Sequence, residues 1–123
     1  MKPMRVIFNL LLLIAIGVAI YKGGLILFRH RELTHKENRG VSAFNNQDYE
    51  EAIDVFEEIL RETPEYEESR RRRLEKHLAQ SYHNKAEDTS RPLSESIELY
   101  RKAEKYDEDI IEDEMIKRLI GSK

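Results

Sequence analysis

From Val6 to Phe28 the chain is apolar apart from Asn9 and Lys22; beyond Phe28, apolar residues recur every three or four positions among charged ones. The first stretch, VIFNLLLLIAIGVAIYKGGLILF, has 23 residues, and about 20 suffice to cross the hydrocarbon core of a bilayer as a helix. It predicts one transmembrane helix through residues 6–28. Lys22 lies close enough to one end to send its ammonium to the headgroups, which leaves Val6–Tyr21 as the strongest apolar core. Tyr21 suits the interface. A signal peptide cleaved after a small-x-small site at Gly17-Val18-Ala19, removing residues 1–19, is the competing reading. The length of the run, and its resumption at Ile20 and at Leu25–Phe28, favour an uncleaved anchor.

The second pattern predicts helices and no strand. Gly and Pro are few, and Glu, Lys, Arg, Leu, Ala and Ile abound. Five stretches are expected, at 30–45, 49–62, 66–86, 92–106 and 109–120. In the second, Tyr49, Ala52, Phe56 and Ile59 fall on one side, a stripe that needs a partner to be stable in water. Asp48 with Glu51 fits a capping box, and Thr63-Pro64 ends that helix. Glu87–Pro92, with Ser90 as the expected cap, separates the third and fourth helices, and YDED at 106–109 turns the chain again. Such short connections make successive helices antiparallel. The last stretch, EDIIEDEMIKRLI, has an acidic first turn and an apolar side of Ile110, Ile111, Met115, Leu119 and Ile120, and reads as a capping helix. The expectation is an all-α chain with a transmembrane anchor at 1–28 and a helical domain at 29–123.

Gly40, Tyr49, Ala52, Phe56, Ile59 and Pro64 resemble the tetratricopeptide repeat, a helix–turn–helix unit of about 34 residues. The resemblance covers about 33–64 and implies that small Gly40 meets small Ala52 while Tyr49 and Phe56 fill the space between helices. Lys36 stands at the early aromatic position and Arg39 at the following leucine position, which are departures. A degenerate second unit at about 72–106 carries Leu78, Ala79 and Tyr82 in its first helix and Ser96, Tyr100 and Ala103 in its second, with extra residues at KAEDTSRP. A generic helical bundle would use the same positions as plain core. One clear unit, one degenerate unit and a cap fall short of the roughly three units a repeat array needs, so self-association into a homo-oligomer, or packing on a membrane partner, is expected.

Charge sharpens the division. Residues 1–28 hold three of the 21 basic residues and none of the 24 acidic ones, so the remainder carries 18 basic and 24 acidic residues, a net charge of −6. That balance argues against nucleic acid as the main partner. More basic residues follow the span (Lys22, Arg29, Arg31, Lys36, Arg39) than precede it (Lys2, Arg5), which leans the helical domain towards the cytoplasm. Export of the C-terminal part across the membrane is the alternative.

Cysteine is absent, which removes disulfides, thiolate metal sites and thiol nucleophiles. No glycine-rich phosphate loop, no His-Glu-x-x-His and no calcium-loop spacing occurs, so neither an enzyme nor a cofactor is expected. His30, His35, His77 and His83 read as polar surface. In SRRRRLEKH, Glu67 and Glu68 stand four residues before Arg71 and Arg72 and should pair with them, leaving Arg70 and Arg73 less compensated.

The family resemblance also implies a concave groove lined by first-helix positions. Those are Glu37, Val41, Phe44 and Asn45 from the first unit, and Arg73, Lys76, Gln80, His83 and Asn84 from the second. Arg73 and Lys76 would suit an acidic peptide or a C-terminal carboxylate. The function so implied is a membrane-tethered scaffold for a protein or peptide partner. The runner-up is a basic-patch binder of anionic lipid or nucleic acid through Arg29, Arg31 and Arg70–Arg73.

Overall fold

The computed structural model describes residues 2–121; Met1, Ser122 and Lys123, at the outer ends of the two expected domains, lie outside the described residues. The described residues form five helices and no strand: α1 (Lys2–Asn45), α2 (Tyr49–Glu62), α3 (Glu68–Ala86), α4 (Leu93–Tyr106) and α5 (Glu114–Ile120). The chain divides into two compact units, Met1–His35 and Lys36–Lys123, and α1 contributes to both.

In the first unit every residue from Pro3 to Glu32 is exposed. Among the described residues α1 is the one helix long and apolar enough to cross a membrane, with a mean hydropathy of 2.3 over its most apolar stretch.

In the second unit each helix from α1 to α4 runs antiparallel to the next, and the contacts record it. Phe44 meets Tyr49 across the first turn, Gly40 meets Phe56 further along, and Lys36 pairs with Glu58 and Glu62 at the far end. From α2 to α3 the order is Thr63–Arg71, Phe56–His77, Tyr82–Glu57 and Lys85–Glu50. From α3 to α4 it is His83 on Tyr100 and Tyr82 stacked on Tyr106 at 6.1 Å. So α3 packs on both α2 and α4, while α5 packs on α4.

The stripe of α2 is core: Ala52, Phe56 and Ile59 are fully buried. Phe56 is its centre. Its ring stacks on His77 at 5.0 Å with the planes 10° apart, and its other neighbour is the bare α-carbon of Gly40. A β-carbon at position 40 would lie 2.7 Å from the ring, so the glycine is needed to admit the aromatic ring of Phe56.

The caps explain where helices start and stop. Asp48 accepts a hydrogen bond from the Glu51 amide at 3.3 Å, as expected for an N-cap. The reciprocal half of the capping box is absent, because the Asp48 amide donates to Ala43 O at the end of α1. That bond, with Gln47 N–H to Phe44 O, closes α1 in a Schellman turn, and Gln47 holds the left-handed position with φ 64°. Thr63 is extended before Pro64, as read from sequence, and its hydroxyl donates to Ile59 O at 2.7 Å.

Three expected boundaries are corrected. The third helix begins at Glu68 rather than 66, after a turn in which Glu67 N–H reaches Pro64 O. Ser90 caps nothing; its hydroxyl and amide both donate to Asp88, and α4 starts after Pro92. The last helix begins at Glu114 rather than 109, because Asp113 accepts from Met115 and Ile116 amides, whereas Asp107 closes a local turn through the Asp109 amide. Ile111 is buried from that non-helical segment.

Two substitutions check this account. Gly40→Val should destabilise the helical domain by about 2 kcal/mol through overpacking against a ring that has no room to retreat, read as a lower urea midpoint in far-UV circular dichroism. Gln47→Gly should stabilise the domain by about 0.5–1 kcal/mol, read as a higher urea midpoint, by removing the left-handed penalty of a non-glycine residue.

Candidate functional site

The face expected to bind a partner is built from the last turns of α1 and the length of α3. Glu37 sits on α1 and is 7% exposed. It accepts from Arg73 twice, Nε at 2.5 Å and Nη2 at 3.0 Å, and Arg70 Nη1 lies 4.0 Å from its Oε2. Arg70 is itself buried and turns its Nε to Glu67 at 3.6 Å. The two arginines expected to be less compensated are therefore the two met by a carboxylate from another helix, Arg70 buried and Arg73 at the surface. Glu67 pairs with Arg70 rather than with Arg71.

Arg71 has a different task. Its Nη1 donates to Thr63 O at 2.9 Å and to Leu60 O at 3.3 Å, the latter shared with the Thr63 amide, and so closes the end of α2. Arg72 is exposed and makes none of these contacts.

The other groove residues divide. Val41 and Phe44 are half-buried, the Phe44 ring lying edge-on to Tyr49 at 5.5 Å, and Asn45 is exposed at the end of α1. Gln80 donates to Asn84 at 2.8 Å, one turn apart on α3. Lys76 is exposed. His83 is half-buried with its ring edge-on to Tyr100 of α4, and its Nδ1 is 3.4 Å from Glu87. Direct contact thus joins Glu37 to Arg73 and Gln80 to Asn84, while Phe44 and His83 turn to aromatic neighbours. Positive charge on the face comes from Lys76 and from Arg73, whose side chain stays 49% exposed outside its bond to Glu37.

Titration follows this packing. The guanidinium hydrogen bonds from Arg73 hold the Glu37 carboxyl below its ordinary value, against the opposing effect of burial. His77, read from sequence as polar surface, is half-buried on Phe56, and burial pushes its imidazole below its ordinary value despite nearby Glu37. Burial, with the hydrogen bond to Glu57, pushes the Tyr82 phenol well up.

Sequence reasoning missed a second concavity. A cleft of about 350 Å³ opens where α3 ends between α4 and α5, walled by Leu93, Ile97, Tyr100, Ile116, Leu119 and Ile120. Leu93 and Leu119 are exposed there, as is Met115 on α5. The signal was available in the apolar side of the last stretch. It was assigned wholly to capping, and only Ile111 and Ile120 of its five residues are buried. Among the described residues no group of three His, Asp or Glu is placed to hold a metal ion.

Residues 37–66 match the family model described as tetratricopeptide repeat. No curated protein and no solved structure matches the chain. The matched stretch is the α1–α2 hairpin with its closing turn, which holds both Gly40 and Phe56. It supports a repeat of that type here, and such repeats are interaction modules rather than catalytic ones.

Both His77 and Glu37 titrate lower in the folded chain than in the unfolded one, so each adds stability at neutral pH that acid removes. The urea midpoint should be level between about pH 7 and 9, fall as pH drops below about 6.5 through His77, and fall further below about 4.5 through Glu37. His77→Leu should flatten the first descent and keep the second. Glu37→Gln should destabilise the domain at pH 7 by about 2 kcal/mol, read as a lower urea midpoint, because it leaves buried Arg70 facing no carboxylate on α1.

Proposed function

We propose that this chain is a single-pass membrane protein whose helical domain docks a protein or peptide partner at the membrane surface. The observation that carries the reading is the tetratricopeptide match over 37–66, borne on a helix whose preceding part is long and apolar enough to span a bilayer. The anchor is residues 6–28, and α3 and α4 act as a degenerate second repeat with α5 as its cap. Tethering favours such a role physically, because it raises the effective concentration of any partner confined to the same membrane. The distribution of basic residues around the span supports a cytoplasmic domain.

The partner surface is the face bearing Val41, Phe44, Asn45, Lys76, Gln80 and Asn84. Lys76 and the exposed side of Arg73 suit an acidic segment, although Glu37 takes up much of the charge of Arg73. The competing reading, a polybasic binder of anionic lipid or nucleic acid, loses support because Arg70, Arg71 and Arg73 are engaged within the fold.

Photo-crosslinking of the full chain in its native membrane tests the proposal. A reactive side chain at Phe44 or Lys76 should give a discrete protein adduct, and one at Glu51, exposed on α2, should give none. Lys76→Glu should cut the Phe44 adduct severalfold without moving the urea midpoint. An unchanged adduct would remove the acidic-partner assignment, and equal adducts at Phe44 and Glu51 would remove the groove.

A further inference from the structure

Helix α5 is short, and it is fixed at both ends. Asp113 caps its start, and Arg101 of α4 donates from Nε to Ile120 O at its end, at 3.2 Å. Ile120 is buried and Ile116 half-buried, while Met115 and Leu119, one turn apart, stay 71% and 47% exposed. Leu119 and exposed Leu93 both wall the apolar cleft of about 350 Å³.

The charges beside this apolar pair say what covers it. Each helical residue is turned by about 100° from the last. Glu114 and Arg118, four apart, therefore lie together on one flank of Met115 and Leu119. The other flank holds Ile116 and Ile120, which line the cleft beside α4. Glu114 belongs to the acidic start of the helix, after Glu112 and Asp113, and its side chain is 78% exposed although Lys117 Nζ lies 3.7 Å away. Arg118 is exposed near the other end, and among the described residues its side chain has no ion-pair or hydrogen-bond partner. Along its length the patch runs from acid through two apolar residues to base. A partner of one charge, or an anionic bilayer, suits one end and is repelled by the other. A second copy turned end for end suits both.

We propose that two copies of this chain pair through α5, antiparallel about a two-fold axis, with Met115 of each copy against Leu119 of the other. In a two-fold contact, whatever residue i makes with j is repeated by j with i. Each flank therefore meets the same flank of the other copy with its ends exchanged, and Arg118 of one copy lies beside Glu114 of the other, twice over. Met115 laid on Leu119 reaches the cleft, and its unbranched thioether chain suits a space of irregular shape. The contact is small for a stable dimer, and the membrane tether proposed above compensates by raising the concentration at which copies meet. The pairing is otherwise independent of the α1–α3 face.

The chain has no cysteine, so introduced pairs report directly. Two differently tagged full-length copies are co-expressed, one with Met115→Cys and the other with Leu119→Cys, and their membranes are oxidised. A disulfide joining the two tags should form severalfold above the level given by Met115→Cys with Glu51→Cys. Adding Arg118→Glu to both copies should cut the yield severalfold, because acid then faces acid at both contacts. Adding Arg118→Glu to one copy and Glu114→Arg to the other should restore it, which a loss through misfolding would not allow. Lys76→Glu should leave it unchanged. No disulfide above the Glu51 level overturns the pairing, and so does a photo-reactive side chain at Met115 that couples only to lipid or to a different protein. A Met115→Cys self-pair stronger than the pair with Leu119→Cys overturns the antiparallel arrangement. A yield unmoved by Arg118→Glu, or not restored by the exchange, overturns the charge contact, and one lost with Lys76→Glu moves the dimer to the α1–α3 face.

Discussion

A carboxylate that is nearly out of water must be met by cations, and Glu37 is met by two. Its bonds fix more than charge. The turns join α1 to α2 and α2 to α3, but the register of α1 against α3 has no turn to set it. Glu37 sets it, through a forked Arg73 contact with two hydrogen bonds and a second guanidinium behind. Phe56 works in the same layer, filling the space between the two helices with one face on His77 and one edge at Gly40. Ion pair and ring together make three helices into one packed unit, with the polar contact specifying alignment and the apolar one supplying most of the burial.

The same arrangement reshapes the surface available to a partner. A reading by composition places four consecutive arginines on a domain with a net charge of −6. In the fold, Arg70 and Arg73 neutralise Glu37, and Arg71 closes the end of α2. The face of α1 and α3 is consequently less basic than its residues suggest, and amides and Phe44 make up much of it. Within the second unit the exposed large apolar residues lie off that face, at Tyr66, Leu93, Met115 and Leu119, and Leu93 and Leu119 wall the α4–α5 cleft.

Local signals were legible and distant ones were not. Asp48 and Thr63-Pro64 marked the ends of α2 to within a residue, because cap chemistry acts over three or four positions. The stripe of α2 was equally plain, since its period alone identifies a buried face. The last helix was placed too early because Asp107, Asp109 and Asp113 are all capable caps, and only packing of Ile111 selects the third. The pairing of Glu37 with Arg73 spans 36 residues, and the four-residue rule for helix pairs directed attention to Glu67 and Glu68 instead. His77 was misread for a related reason: nothing near it in sequence announces the Phe56 ring on which it lies. The candidate groove residues were found by family position, and that route gives places along helices without saying which side chains are already occupied.

The inward turn of the arginines changes with the state of the chain. Before folding, Arg70–Arg73 form an open run of four cations with Lys76 close behind. Near an anionic leaflet each such cation is worth about 1 kcal/mol of attraction. Folding withdraws three of the four, giving them to Glu37 and to the end of α2. Any anionic surface and the native contacts therefore compete for the same guanidinium groups, so Arg70, Arg71 and Arg73 are open to such a surface only while the chain is unfolded.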